Sequence, residues 1–264
     1  MTEQPVLVGI DAESAIGRIT LNRPEVHNAF DDAVIAQVTA AAERLDSNEA
    51  VRVIVIAGNG KSFCSGGDLG WMRRMALYDR AENEADARRL AAMFAAIDGA
   101  RKPTVARVQG NVFAGATGLV SACDVAIAAD NAVFSLSEVR LGLVPATIAP
   151  YVLRAVGERH ARRIFLTAER FGAAEAQRIG LVHLVVPAAE LDVALDRVVA
   201  DLLAGATGAQ GKTKQLVRAI AGRPIDETVM AETAGVIAEA RASAEGREGL
   251  AAFFDKREPS WRRR

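Results

Sequence analysis

Three short segments carry the residues that could do chemistry. SFCSGGDL (62–69) and NVFAGATGL (111–119) each follow a β-branched run and each can bring backbone N–H groups close to a ligand. In the first, Gly66 and Gly67 permit close approach and a positive φ, and DLGWMRRM can begin a helix with Asp68 near its N-terminus. In the second, Ala114, Gly115 and Ala116 open an apolar helix, whose free N–H groups and positive dipole end favour an anion or a polarised carbonyl. The third segment, FSLSEVRLG (134–142), offers one carboxylate, Glu138, among Phe134, Leu136, Val139, Leu141 and Leu143. Burial there would oppose ionisation and suit a proton carrier. Taken singly, each segment also has a plainer reading: a helix entry, tight helix–sheet packing, or a structural pair of Glu138 with Arg140.

Other chemistries fit less well. Gly58-Asn59-Gly60-Lys61-Ser62 resembles the end of a phosphate-binding loop, but that pattern needs glycine where Val55 stands, and a dinucleotide fingerprint needs glycine at Phe63. Cys64 and Ser65 sit in no GxSxG elbow and have no nearby histidine, so they read as small packing residues. Two cysteines, Cys64 and Cys123, and three scattered histidines, His27, His160 and His183, indicate neither a disulfide framework nor a zinc site. They fit a reducing cytoplasm. A net charge of −1 over 264 residues argues against a broad nucleic-acid or membrane-binding field, and the basic tail Arg262, Arg263, Arg264 reads as solvated. The opening MTEQPVLVGIDAES lacks the basic and apolar regions of a signal peptide. Residues 112–129 are nearly all apolar and long enough to span a bilayer, yet glycines, Thr117, Ser121 and Asp124 interrupt them. A buried strand, short helix and strand explain the same stretch.

The elements that must position the three segments follow from periodicity. Residues 9–24 read as an antiparallel pair ended by Pro24, and 31–45 as an amphipathic helix started at Asp31-Asp32. The continuous β-branched run 51–58 reads as a strand covered on both faces. A helix over 84–97, a strand over 104–108, a short helix after Gly115 and a strand over 124–128 continue the alternation. Beyond Pro145, helices are expected at 148–156, 159–166, 173–179, 191–203, 212–221 and 225–244, a helical layer added to an α/β core.

Taken in order, LNRPEVHNAF, SFCSGGDLGWM, VQGNVFAGATGLVSACDVAIAAD, FSLSEVRLGLVP, LTAERFGAAEAQRIGLVHLVVP and GREGLAAFFDKREPSW resemble the crotonase (enoyl-CoA hydratase/isomerase) superfamily over nearly the whole chain. The resemblance implies an α/β spiral of ββα units over 1–200 and a C-terminal helical trimerisation region over 201–264. It implies an acyl-CoA thioester substrate, no metal, no cofactor beyond the CoA carried by that substrate, and a homotrimer or dimer of trimers. Carried over by residue, it makes Gly67 and Gly115 the oxyanion donors and Glu138 the catalytic acid/base. Arg23, Ser65, Asp68 and Leu69 become the CoA-binding edge, with Phe253 and Lys256 near the nucleotide end of a neighbouring subunit's CoA. One departure stands out: many hydratases of the superfamily carry a second glutamate where this chain has Gly118. A single glutamate matches some Δ3,Δ2-enoyl-CoA isomerases, and loss of the second one could also leave a non-catalytic acyl-CoA-binding or assembly protein. A finer resemblance, in GLVSACDVAIAAD and LSEVRLGLVPATIAPYVLRAVGERHARR, is to the bacterial methylglutaconyl-CoA and isohexenylglutaconyl-CoA hydratase group, which implies branched, carboxylated substrates. Arg73, Arg74 or Arg140 could then meet a distal carboxylate.

Overall fold

Apolar runs bounded by well-capped helices build one large sheet and a second, shorter sheet that follows it turn by turn. The computed structural model describes residues 4–262, so Met1–Glu3 and two arginines of the basic tail, Arg263 and Arg264, lie outside the described residues. The remaining one, Arg262, is exposed and pairs with Glu258.

Strands β1 (Val6–Asp11) and β2 (Ile16–Leu21) form the expected hairpin, its turn held by Asp11, whose carboxylate accepts from the N–H groups of Glu13 and Ser14. Helix α1 (Asp32–Ser47) starts at an N-cap, Asp31, that accepts from the Val34 N–H at 2.8 Å, and it buries Val34, Ile35, Val38, Ala41, Ala42 and Leu45. Then come β3 (Val53–Gly58), α2 (Leu69–Met75) and α3 (Arg80–Gly99), the last entered through a capping box between Asp79 and Glu82. They are followed by β4 (Thr104–Val108), β5 (Asn111–Phe113), α4 (Gly115–Ala122), β6 (Val125–Ala129) and β7 (Val133–Ser135). A 3-10 turn over Glu138–Leu141 leads to α5 (Ala149–Thr167), β8 (Phe171–Gly172), α6 (Ala173–Arg178), β9 (Leu184–Val186) and α7 (Leu191–Ala204). Helices α8 (Thr207–Ile220), α9 (Glu227–Ala242) and α10 (Ala244–Phe254) complete the described chain.

The large sheet has the order β1-β2-β3-β4-β6-β9, parallel throughout except for the first pair, and the small one has the order β5-β7-β8. Parallel neighbours require crossovers, and here each crossover is a short strand followed by a helix. β4-β5-α4 and β6-β7-α5 are two such turns. In the two turns before them the short strand shrinks to single bridging residues, Phe30 and Cys64, which precede α1 and α2 respectively. The chain is thus a ββα spiral. The apolar stretch 112–129 is β5, α4 and β6, mostly buried, and among the described residues no helix is long and apolar enough to cross a membrane.

The two helices expected at 148–156 and 159–166 are the two segments of α5, separated by Gly157, whose φ of 74° and ψ of 163° leave the helical region. The single helix placed at 225–244 is two, because Ser243 takes an extended conformation, ends α9 and caps α10 by accepting from the Gly246 N–H at 3.0 Å. The short strands β7, β8 and β9, of two or three residues each, are too brief for periodicity to register.

The chain divides into two units. One runs to Ala100 and resumes over Thr104–Asp196, and holds both sheets; the other joins Arg101–Pro103 to the chain from Arg197 onward. In the second unit α8, α9 and α10 pack on one another, and Leu250, Phe253 and Phe254 stay exposed.

Candidate active site

The short layer of the spiral determines where the chemical groups lie. Cys64 bridges Val112, and Val112 pairs with Phe134, so three consecutive turns share one rung. Gly67 and Gly115 each stand three residues beyond that rung and Glu138 four, at the same end of neighbouring parallel segments. The sequence separates these residues by dozens of positions; the ladder places them side by side.

Gly67 owes its free N–H to the hydrogen-bond pattern of a parallel bridge. Phe30 donates to the Gly66 carbonyl at 2.7 Å and accepts from the Asp68 N–H at 2.7 Å, so Gly66 and Asp68 are tied to the Phe30 segment while the Gly67 N–H has no partner among the described residues. Gly66 is glycine for a physical reason. Its φ is +91°, and a Cβ there would lie 2.9 Å from the Phe113 carbonyl oxygen and 3.2 Å from the Ala114 Cβ. This close approach brings the Gly67 loop against the Gly115 loop.

Gly115 is the first residue of α4, a position whose N–H has no intrahelical acceptor. Ala114 before it has φ 50° and ψ −119°, a region that L-residues rarely occupy, and it caps the helix with no side-chain bond. The Ala114 N–H donates to Ser135 at 2.8 Å, which anchors the strained residue to β7. This conformation sets the direction of the 114–115 peptide and hence of the Gly115 N–H. Phe30 also borders this donor, since a Cβ on Gly115 would lie 3.3 Å from its ring.

Glu138 opens the 3-10 turn after β7 and is half-buried. Burial holds its carboxyl above the usual carboxylate range, opposed by a hydrogen bond from its own backbone N–H, and its Oε2 is buried with no partner. Arg140 makes no ion pair with it among the described residues, so the structural-pair alternative fails. Where many hydratases of the superfamily place a second glutamate, this chain has more than a missing side chain. A Cβ on Gly118 would fall 2.2 Å from Ile148 Cγ2 and 2.6 Å from Ile148 Cβ, so Ile148, 1 % exposed, fills that space.

The remaining sequence candidates separate into groups. Arg23 donates to Asp31 and Asp68, both at 3.0 Å, and to the Ala29 carbonyl, so its guanidinium braces the loop that carries Gly67. Asp68 caps α2 through the Gly70 and Trp71 N–H groups; burial alone would raise its pKa, but those bonds and Arg23 outweigh it and the value is lowered. Ser65 is half-buried and its N–H donates to the His27 carbonyl; Leu69 is exposed. Phe253 and Lys256 belong to the second unit and are exposed on it. Cys64 is buried, and desolvation pushes its thiol up to about 12, which keeps it protonated and unreactive. Arg74 pairs with Asp32, whereas Arg73 and Arg140 have no ion-pair partner among the described residues. Sequence reasoning gave no role to Asn28. It is buried, sits at φ 58°, accepts from the Arg23 N–H and donates to the carbonyls of Asn59, Ser62 and Phe63, locking the strand-end turn to the Gly67 loop. An asparagine two residues before the bridging Phe30 is the signal that could have suggested it, since Asn tolerates the left-handed region.

Two unpaired main-chain donors beside one desolvated carboxyl can stabilise a thioester enolate while a proton moves. Known proteins resemble this chain along its whole length. The model of the enoyl-CoA hydratase/isomerase family matches residues 11–264. A Mycobacterium bovis relative named "Probable enoyl-CoA hydratase echA8" is 34% identical over 267 residues, covering 100% of both chains. The solved structure of an enoyl-CoA hydratase from Shewanella pealeana superposes with a TM-score of 0.95 at 39% identity, over 98% of this chain and 97% of that one. Pseudomonas aeruginosa AtuE superposes with a TM-score of 0.93 at 35% identity, over 98% and 100% respectively. With its spiral, its paired glycine loops and this likeness along its whole length, the chain belongs to the enoyl-CoA hydratase/isomerase family, the crotonase superfamily.

Proposed function

We propose that the protein is an acyl-CoA hydratase that adds water reversibly across the α,β double bond of an enoyl-CoA thioester, with branched glutaconyl-type esters as its substrates. The observation that carries this reading is the shared rung that sets the unpartnered N–H groups of Gly67 and Gly115 beside Glu138. In the proposed reaction the thioester oxygen accepts from both donors, most strongly once enolate charge develops on it. Each such donor is typically worth about 3–4 kcal/mol, or about 10²–10³ in rate. Water adds at Cβ and a proton reaches Cα; Glu138 orients the water and relays the proton, alone or with the substrate's own carboxylate. Arg73 and Arg140 are the candidates to meet that distal carboxylate, because Arg74 is already engaged by Asp32. CoA enters as part of the substrate, along an edge formed by Arg23, Ser65, Asp68 and Leu69, and no other cofactor is assigned. The exposed Leu250, Phe253 and Phe254 support a homotrimer or dimer of trimers, with Phe253 and Lys256 near a neighbour's CoA. We place the reaction in the cytoplasm.

A second reading, Δ3,Δ2-enoyl-CoA isomerisation, is favoured by one observation: Ile148 fills the space of a second carboxylate, leaving Glu138 to carry the proton alone. Absorbance of the conjugated enoyl thioester separates the cases over a panel of esters that includes 3-methylglutaconyl-CoA. Hydration lowers it, isomerisation of a 3-enoyl ester raises it, and a pure acyl-CoA binder leaves it unchanged. Glu138→Gln should abolish turnover while leaving ester affinity nearly unaltered; full turnover in that variant removes Glu138 from the chemistry.

A further inference from the structure

A polar cleft of about 480 Å³ opens at the carboxyl ends of β2, β3 and β4, and none of the residues assigned to the acyl site lines it. Its shape follows from strand register. Thr20 pairs with Ala57, and Gly58 follows, so small side chains form a low floor. Long cations rise around it: Arg18 from β2, Arg107 from β4 and Lys61 from the turn after β3. Strands in a parallel sheet covered on both faces are apolar, so two arginines projecting from β2 and β4 mark an open, hydrated patch. Ends of parallel strands at their carboxyl side are also where open α/β sheets take ligands.

The charges are unbalanced and partly pre-arranged. Among the described residues Asp192 is the one carboxylate lining the cleft, and it accepts from Arg107 Nε at 2.6 Å. Arg107 Nη1 also donates to Gln109 Oε1 at 3.1 Å, and Gln109 is fixed in turn by donating to the Gly58 and Gly60 carbonyls. Arg107 is therefore held in one orientation before any ligand arrives. The side chains of Arg18 and Lys61 make no hydrogen bond or ion pair among the described residues, although Arg18 lies near enough to Asp11 and Asp192 for its charge to act on both. Three cations against one lining carboxylate leave an excess of positive charge in the cleft, offset only in part by the exposed Asp11 at the end of β1, whose carboxyl is held below its ordinary value by hydrogen bonds from Ser14 and, in part, by Arg18. Among the described residues no aromatic side chain lines the cleft to stack a nucleobase.

We propose that this cleft binds a compact phosphate-bearing metabolite, held by the guanidinium groups of Arg18 and Arg107 and the ammonium of Lys61. Planar guanidinium forks match phosphate oxygens, and a lysine adds a mobile point charge. Cations from three separate elements suit an anion with oxygens on several sides. The GNGKS turn thus contributes to anion binding through the Lys61 side chain, although it lacks the glycine and the following helix of a phosphate-binding loop.

Isothermal titration calorimetry of the full chain with sodium pyrophosphate, at matched ionic strength in phosphate-free buffer, tests the assignment. One saturable site per chain is expected. Arg18→Gln and Lys61→Gln, each at a surface position, should each weaken it about tenfold or more, while Glu138→Gln binds as the unmodified protein does. Binding should persist when the acyl site is saturated with CoA. The proposal is overturned by the absence of a saturable site, by equal affinity in the Arg18 and Lys61 variants, or by competition with CoA. Citrate binding as tightly as pyrophosphate would overturn the phosphate assignment. Because activity is not the readout, failure here leaves the proposed hydratase reading untouched.

Discussion

Adding one methyl group at position 118 tests how tightly the site is closed where a second carboxylate would stand. The new Cβ would meet Ile148 Cγ2 at 2.2 Å and Ile148 Cβ at 2.6 Å, with Phe94 Cζ at 3.3 Å behind them. Carbon pairs prefer about 3.5–4.0 Å, so rotating the Ile148 side chain is not enough and its backbone must move. Overpacking of this kind costs about 1–3 kcal/mol, offset in part by about 0.5–1 kcal/mol gained when alanine replaces a helical glycine. Gly118→Ala should therefore be destabilised by roughly 1–2 kcal/mol. Ile148→Gly removes both obstructing atoms at an N-cap position where glycine is tolerated, and its cavity should cost about 2–5 kcal/mol. In the double variant the new methyl enters the vacated space, so the combined loss should fall short of the sum by more than about 1 kcal/mol. Urea midpoints at constant m-value, followed by circular dichroism, give all four corners of the cycle. An unshifted Gly118→Ala midpoint, or additivity within about 0.5 kcal/mol, would refute the claim that Ile148 occupies this space.

Replacing the Gly115 residue by its α-hydroxy counterpart turns the N–H into an ester oxygen without touching a side chain. Turnover should fall by about 10²–10³ with ester affinity little changed, and unaltered turnover would remove this donor from the mechanism. Glu138→Gln should gain stability relative to the unmodified protein as pH rises from about 4 to 8. The sign follows from burial, which raises the folded carboxyl's pKa: its stabilising contribution is complete below the ordinary carboxylate range and is lost as pH climbs through the folded value. Thermal unfolding across pH reads the difference, and a parallel pair of curves would contradict it. Ala114→Gly should raise the melting temperature, because release of about 1–3 kcal/mol of backbone strain outweighs about 0.4–1 kcal/mol of added chain entropy. A lower melting temperature would show that Ala114 is not strained.

The long elements were legible in the sequence because burial imposes a period on them. β3 reads directly from its β-branched run, α1 from apolar spacing behind Asp31, and α3 as a helix over 84–97, four residues short of its start at Arg80. The two-glycine logic was also visible, since Gly66 and Gly115 lie where strands turn into helices. The neighbour relations were not. A single bridging residue such as Cys64 has no periodicity, yet it decides that Gly67 stands beside Gly115. The strain at Ala114 was hidden for a related reason, because alanine carries no preference for φ 50° and only the Ser135 anchor and the tight approach of Gly66 enforce it. Gly118 could be seen to lack a carboxylate, but its occupant Ile148 lies thirty residues away and only packing joins them.

Hydrogen-bonded strands sit about 4.8 Å apart, and that interval acts as a ruler for the reaction centre. One step of it separates the loop of Gly67 from that of Gly115, and the next leads to Glu138. If Gly67 and Gly115 hold the thioester oxygen as proposed, a mutation that reshapes the far step would move Glu138 along the acyl chain without disturbing that pair. Shifting the middle segment by one residue would instead spoil both intervals at once, so evolution toward new acyl chains should proceed by exchanging loops at the outer step while β5 stays in register.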